Sequence, residues 1–392
     1  MMNFAQVGND LYTGKRSVDF IGRQKTWYAV SAVLIVLALV GIFARGLNFG
    51  IEFRGGSEFR VNGVTNTQSY ESKARDAVSS AGITGNVLST VVGGDSVRVQ
   101  TEAANDKNEA AKVALAGAFG VPAANVSASL IGPSWGQSVS NKAIQALIVF
   151  LILVAMVMAI YFRTWTMAVA GLVALLHDLV ITVGIYALFG FEITPSSMIG
   201  FLTILGYSLY DTVVVFDKVR ENTAAAMGNR RYTYRQAANL AVNQTLVRSV
   251  NTTVVALLPI AAILVVGFTW LGPGTLLDLS LALFVGIAVG AYSSIFIATP
   301  LLVDLRRNEA AVKDLDKAAT RAQAKTPVGA SVGASGALPA GDGEEPPADA
   351  ETVGGTVRPR PAADGDAPAR DVHKWAQSGP RNQPRRPPKS KR

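Results

Sequence analysis

Long apolar runs alternate with short polar stretches over most of the chain. A bilayer's hydrocarbon core is about 30 Å thick and a helix rises about 1.5 Å per residue, so one crossing needs about 20 apolar residues. Six segments qualify: Trp27–Ala44, Ala143–Phe162, Trp165–Phe189, Thr194–Phe216, Leu246–Trp270 and Leu279–Leu305. The first follows Lys15, Arg16, Arg23 and Lys25, as a leader peptide's apolar core would. Its length and the lack of a small-x-small cleavage site after it make it a retained span.

Between residues 45 and 140 the pattern changes. Short β-type runs fall at Ser57–Asn62, Val87–Val92, Ser96–Thr101 and Ala124–Ile131, and Gly93-Gly94-Asp95 marks a hairpin. Helical stretches at Thr67–Ala81 and Asn105–Phe119 fill the gaps, the second with Asn105 and Asp106 as expected caps. The order β-α-β-β-α-β is that of a split ferredoxin-like fold. Gly132-Pro133 then breaks the last strand, where a hinge is expected. The fold predicted is a polytopic α-helical membrane protein with six spans and a ferredoxin-like α+β extracytoplasmic domain between spans 1 and 2. Its divisions are an N-terminal segment 1–26, span 27–44, outer domain 45–140, spans 2–6 over 141–305 with a loop at about 217–245, and a tail 306–392. From about 326 the tail is Ala-, Pro- and Gly-rich, a composition that predicts disorder.

Composition sharpens this. Charged residues are 16% of the chain, against about 25% in soluble domains. The net charge of +8 lies largely in the tail and short loops, which points to topology and anionic lipid near the cytoplasmic basic loops, with no nucleic acid expected. The basic run Arg381–Arg392 reads as a solvated tail near such lipid. Lys218, Arg220, Arg230, Arg231, Arg235 and Arg306–Arg307 share one side with the N-terminus. Both termini are therefore expected in the cytoplasm. The absence of cysteine excludes disulfides and thiolate chemistry, and neither G-x-x-x-x-G-K-[ST] nor H-E-x-x-H occurs. The reading is of a protein that is not an enzyme and takes no cofactor or metal, and whose work draws on an ion gradient or a partner.

Charges at bilayer depth cost about 2.5–3.5 kcal/mol each and so need partners and a reason. His177 and Asp178 lie in the third span with Thr182 one turn on, and Asp211 lies in the inner half of the fourth. Gly200, Ile204, Ser208 and Asp211 form one helical stripe, read as clearing an approach to the carboxylate. Gln244, Arg248, Asn251 and Thr252 form a polar face on the fifth span, and an antiparallel pairing is expected to bring Arg248 level with Asp211. A carboxyl poised between a cation and desolvation can load and release a proton, and one charge crossing the membrane gains about 2.3 kcal/mol per 100 mV. Packing is the reading for Gly286-x-x-x-Gly290 and Ser294, and solvation for Asp278 at the outer boundary.

Several segments together resemble the SecF family. Gly46-Leu-Asn-Phe-Gly-Ile-Glu-Phe-Arg-Gly-Gly56, holding Gly50, Glu52, Phe53, Gly55 and Gly56, is similar to its G-x-D-F-x-G-G signature. Leu176-His-Asp178, the run Gly206–Asn222, and Asn243-Gln-Thr-Leu-Val-Arg248 followed by Asn251-Thr252 match in order. The resemblance implies an RND-type six-helix bundle paired with SecD beside the SecY–SecE–SecG channel. SecA, YajC and unfolded preprotein chains are further implied partners, and export is implied to be driven by the proton-motive force. It also implies that Asp211 and Arg248 belong to a proton path, with Asp178 and His177 beside it. Ser208, Tyr210, Asn251, Thr252 and Gln244 are its supporting polar positions. Tyr210 stands where the family usually has asparagine and Glu52 where it has aspartate. The competing readings are an RND-type small-solute exporter, which needs a ligand cavity, and a structural subunit with no proton path of its own.

Overall fold

A computed structural model describes residues 4–102, 105–272 and 274–325. The tail expected to be disordered, with its basic run, lies outside the described residues. Six helical segments are long and apolar enough to cross a membrane: Gln24–Arg45, Pro133–Phe162, Trp165–Phe189, Pro195–Asn229, Tyr234–Leu271 and Thr275–Arg306. They are built from α2 (Gln24–Val40), α6 (Pro133–Phe162), α7 (Trp165–Phe189), α8 (Pro195–Asn229), α9 (Tyr234–Val266), and α10 (Thr275–Ser293) continued by α11 (Thr299–Arg306). A wide π turn, Ser294–Ala298, joins the last two.

Burial ranks these helices. Half of the apolar window is buried in α7 and in the α10–α11 span, but only 11% in α6 and 6% in α9. The former are the centre of the bundle and the latter its rim. Glycine sets the central spacing: a Cβ at Gly200 would meet Ala282, at Gly286 Ile204, and at Gly290 Ser208. The small-residue stripe of α8 is thus filled by α10, correcting the expectation that it opens a path to Asp211.

The helices overrun the membrane. The expected loop 217–245 is helical except for residues 230–233, because α8 and α9 continue as polar helices, the second capped at Thr233 by reciprocal side-chain and backbone hydrogen bonds. Two short helices flank the bundle, α1 (Phe4–Tyr12) and α12 (Ala310–Lys325).

The outer domain contains β1 (Asn48–Phe49), α3 (Ile51–Arg54), β2 (Gly56–Asn62), α4 (Tyr70–Ser80), β3 (Leu88–Val92), β4 (Ser96–Thr101), α5 (Asn108–Phe119) and β5 (Val126–Ile131). The four-stranded sheet is antiparallel in the order β3-β4-β2-β5, the arrangement that the split β-α-β-β-α-β order predicts. Phe59, Val61, Val97 and Val99 bury its inner face against Ala74, Val78, Ala111 and Leu115 of the two helices. Asn105 and Asp106 do not cap α5; they form a 3₁₀ turn ahead of Lys107, which holds the cap position without a side-chain bond.

The domain is stitched to the bundle in places no hydropathy pattern reveals. β1 pairs in parallel with β6 (Glu192–Ile193) in the loop between α7 and α8. α6 begins at Pro133, some ten residues ahead of the expected span, and its first turns pack on the outer domain: a Cβ at Gly136 would stand 2.7 Å from the Phe53 carbonyl oxygen. The chain leaves and re-enters the bundle at one place, since β2 and β5 pair from Gly56↔Ile131 and a Cβ at Gly55 would be 2.8 Å from Pro133 Cα. Gly55 has φ +79°, a backbone open to glycine at little cost.

Candidate functional site

Asp178 of α7 is 1% exposed, and its carboxylate is hydrogen-bonded by side chains of three helices. Its Oδ2 accepts hydroxyl hydrogen bonds from Ser208 of α8 (2.6 Å) and Ser293 of α10 (2.8 Å). Its Oδ1 lies 3.0 Å from His177 Nδ1, and His177 Nε2 lies 2.6 Å from Ser31 Oγ on α2. A neutral imidazole donates to the carboxylate from Nδ1 and accepts the Ser31 hydroxyl at Nε2; a protonated one donates at both ends once that hydroxyl turns. Both states are fully hydrogen-bonded, which is what a proton relay in a dry interior needs.

Asp211 of α8 is half-buried one turn beyond Ser208. It accepts from Ser249 Oγ of α9 (2.6 Å, on Oδ1) and Ser294 Oγ (2.5 Å, on Oδ2). Two consecutive serines of the sixth span, Ser293 and Ser294, therefore hold the two carboxylates, one each. The π turn opens at Ser294, and turns of this kind recur where a helix serves a site.

Arg248 does not pair with Asp211. Its guanidinium reaches the Tyr210 hydroxyl at 3.3 Å on the open face of α8 and α9. The geometry explains this: the face of α9 that meets α8 carries Ser249, and a residue one position earlier points about 100° away. Asn251 and Thr252 are exposed on the same outer face, where Thr252 donates to the Arg248 carbonyl. Gln244 lies apart, accepting from Asn222 Nδ2 (2.8 Å) and donating to the Tyr12 carbonyl (3.3 Å). The site thus unites His177, Asp178, Ser208 and Asp211, leaves Arg248, Tyr210, Asn251 and Thr252 facing outward, and does not include Gln244. Sequence reasoning missed Ser31, Ser249 and Ser293; the signal available was only that each is a serine inside an apolar span.

The outer end of the bundle carries a second polar group. A crevice of 470 Å³ between sheet and bundle is lined by Glu52, Glu58, Arg60, Arg98, Thr194 and Asp278, among others. Arg98 of β4 binds Glu192 at 2.7 Å and lies 4.0 Å from Glu58. Asp278 is not simply solvated: it is part-buried and accepts from the Thr194 hydroxyl at 2.9 Å. Glu52 has a buried carboxylate oxygen without a hydrogen-bond partner, and a Cβ at Gly50 would meet the flexible end of that side chain and stand 3.3 Å from the Ile193 carbonyl oxygen.

Burial raises the Glu52 pKa above the ordinary glutamate range, with Glu192 and Glu58 adding to the rise and its own backbone bond and Arg98 opposing it. A raised pKa in the folded state means folding favours the proton. The stability this gives is present at acid pH and is lost as pH climbs through the raised value. Glu52→Gln should therefore unfold at a higher temperature than wild type at pH 8, with the gap closing toward pH 4. Parallel melting curves across that range would refute the assignment.

The comparisons with known proteins agree with this architecture. The family model described as "Protein export membrane protein SecD/SecF, C-terminal" matches residues 111–308, and "SecD/SecF GG Motif" matches residues 40–62. The chain is 45% identical to protein translocase subunit SecF of Streptomyces coelicolor, covering 98% of this chain and 96% of that protein. It is 41% identical to SecF of Mycobacterium leprae over 77% of this chain and 67% of that one. Among solved structures it resembles SecDF from Thermus thermophilus, with a TM-score of 0.65 and 31% identity over 75% of this chain. It spans 39% of that longer SecDF chain.

Proposed function

The chain belongs to the SecD/SecF family of protein-export membrane proteins, and from that premise we propose that it works with SecD to help move preproteins through the SecY–SecE–SecG channel at the expense of the proton-motive force. The role is transport and not catalysis. The observation that carries the proton-coupled part is the pair of bilayer carboxylates held by consecutive serines: Asp178 on Ser293 and Asp211 on Ser294. Asp211 loads the proton from the half-buried side, and Asp178 with His177 passes it inward toward Ser31. Because each carboxylate is held by rotatable hydroxyls, a change of charge at one resets the Ser293–Ser294 turn and is felt by the other.

SecD supplies what the rim lacks. An arginine exposed at bilayer depth costs about 2.5–3.5 kcal/mol, and Arg248, Asn251 and Thr252 stand on the least buried span of the six, with Tyr210 of α8 beside them. A partner helix bearing an acceptor covers that face in our reading, so Arg248 answers to the partner's carboxylate and not to Asp211. The SecDF relative, in which both parts form one chain, supports this pairing. Both termini are cytoplasmic in this reading, and the double joint at Gly55–Gly56 and Gly132–Pro133 is the hinge on which the outer domain, the surface that meets unfolded chains, follows the bundle. SecA and YajC are further partners of the assembled machine.

Asp211→Asn keeps both serine contacts and the helix but cannot change charge. It is expected to co-purify with SecD at wild-type yield while losing the gradient-dependent share of preprotein release from energised vesicles. Full stimulation in that variant would remove Asp211 from the path.

A further inference from the structure

Where α2 begins and α11 ends, a cavity of about 590 Å³ opens between residues 22–26, α9, α11 and α12. Its floor is Tyr234, Val303 and Val312, all buried. Arg23, Lys25, Arg235 and Arg307 stand around its mouth. Two carboxylates also line it, and both are already engaged as acceptors. Asp304 takes Gln24 Nε2 at 2.9 Å and the Tyr28 hydroxyl at 3.0 Å, and Asp316 takes the Tyr234 backbone N–H at 2.8 Å. Of the cations, Arg235 donates to the Ile21 carbonyl. Arg23, Lys25 and Arg307 enter no ion pair among the described residues.

We propose that this cavity binds a phosphate group, and that the group is the headgroup of an anionic phospholipid. Three observations converge on it. Four cations stand against two carboxylates, and Arg23, Lys25 and Arg307 are paired with neither, so the mouth carries an excess of positive charge. Guanidinium groups match phosphate oxygens with paired donors, and the ammonium of a zwitterionic headgroup is repelled by the surrounding cations where an uncharged glycerol headgroup is not. The cavity also lies at the ends of two spans, the depth at which headgroups sit, and its apolar floor suits a glycerol backbone and the first atoms of an acyl chain. A small soluble anion has no use for that floor. The bound lipid would tie the first span, the last span and α12 together at one point.

The test uses the full-length chain purified with its partner and then exposed separately to phosphatidylglycerol, phosphatidylethanolamine and inorganic phosphate. Bound lipid is counted by native mass spectrometry and thermal unfolding is followed in parallel. Wild type should retain phosphatidylglycerol over phosphatidylethanolamine, and R23Q/K25Q/R307Q should lose about fivefold or more of that retention, while R23K/R307K, which keeps the charge without the paired donors, falls between the two. Equal retention of the two lipids, or retention unchanged in the triple variant, overturns the site. A melting shift with inorganic phosphate alone that vanishes in the triple variant keeps the phosphate site but overturns its assignment to lipid. Should the triple variant fold poorly, R23Q/K25Q, altered only at exposed positions at the start of the span, gives the same comparison.

Discussion

Replacing Asp178 by alanine is expected to destabilise the bundle by about 3–5 kcal/mol, the range seen when one member of a buried charged network is removed. The carboxylate is the meeting point of α2, α7, α8 and α10: Ser208 and Ser293 bind it directly and Ser31 reaches it through His177. Alanine leaves the Ser208 hydroxyl and His177 Nδ1 in a dry interior without the acceptor they now use, and leaves Ser293 only its 3.2 Å bond to the Gly290 carbonyl. Asparagine fits the space and still accepts, so Asp178→Asn should recover most of the stability while failing to carry a proton. The two variants therefore separate scaffold from relay. Melting temperature in detergent reads the first and gradient-dependent preprotein release reads the second. An Asp178→Ala protein that melts with wild type would show that the network holds nothing together.

Gly184→Ala is expected to separate the first span from the third. A Cβ at Gly184 would overlap Ala38 at both its Cβ and its Cα and stand 3.1 Å from its carbonyl carbon. Backbone cannot swing aside as the end of a long side chain can, so the helices must part, at a cost of about 1–3 kcal/mol for overpacking. The movement would also stretch the 2.6 Å contact between Ser31 and His177, so relay function falls with stability. Ala38→Gly in the same chain removes the opposing methyl. The double variant should regain part of the stability and activity, since the contact with the Cα at position 38 remains at 2.4 Å, a recovery that neither a polarity change nor a local helix effect would give. Additive losses in the double variant would sink the packing explanation.

The spans were legible from the sequence because hydropathy over about 20 residues is a local property, and a bilayer admits few other structures. The outer domain was legible for a similar reason: alternation and turn residues announced each strand, and Gly93-Gly94-Asp95 placed the hairpin. The misses share a cause. Residues 133–140 are polar and read as part of the outer domain, yet they are the first turns of α6, held by packing against Phe53. The ends of α8 and α9 that flank residues 230–233 are helical through tertiary bonds such as Asn222 to Gln244, which leave no apolar run to detect. β1 pairs with a strand more than 140 positions away.

The amino-acid order by itself determined which stretches lie in the bilayer and that Asp178, His177 and Asp211 sit there among apolar neighbours. Period and length are enough to say which face of its own helix a residue occupies. They do not say which other helix that face meets, and on that point only the tertiary structure decided. It turned Arg248 outward by one position in the helical register. It put Ser249 in the place expected of that arginine, and it gave Ser293 and Ser294 one carboxylate each. Hydrogen bonds between helices depend on rotation and depth within the bundle, and both are set by the glycine contacts of α10 with α8 and of α7 with α2, which no single segment contains.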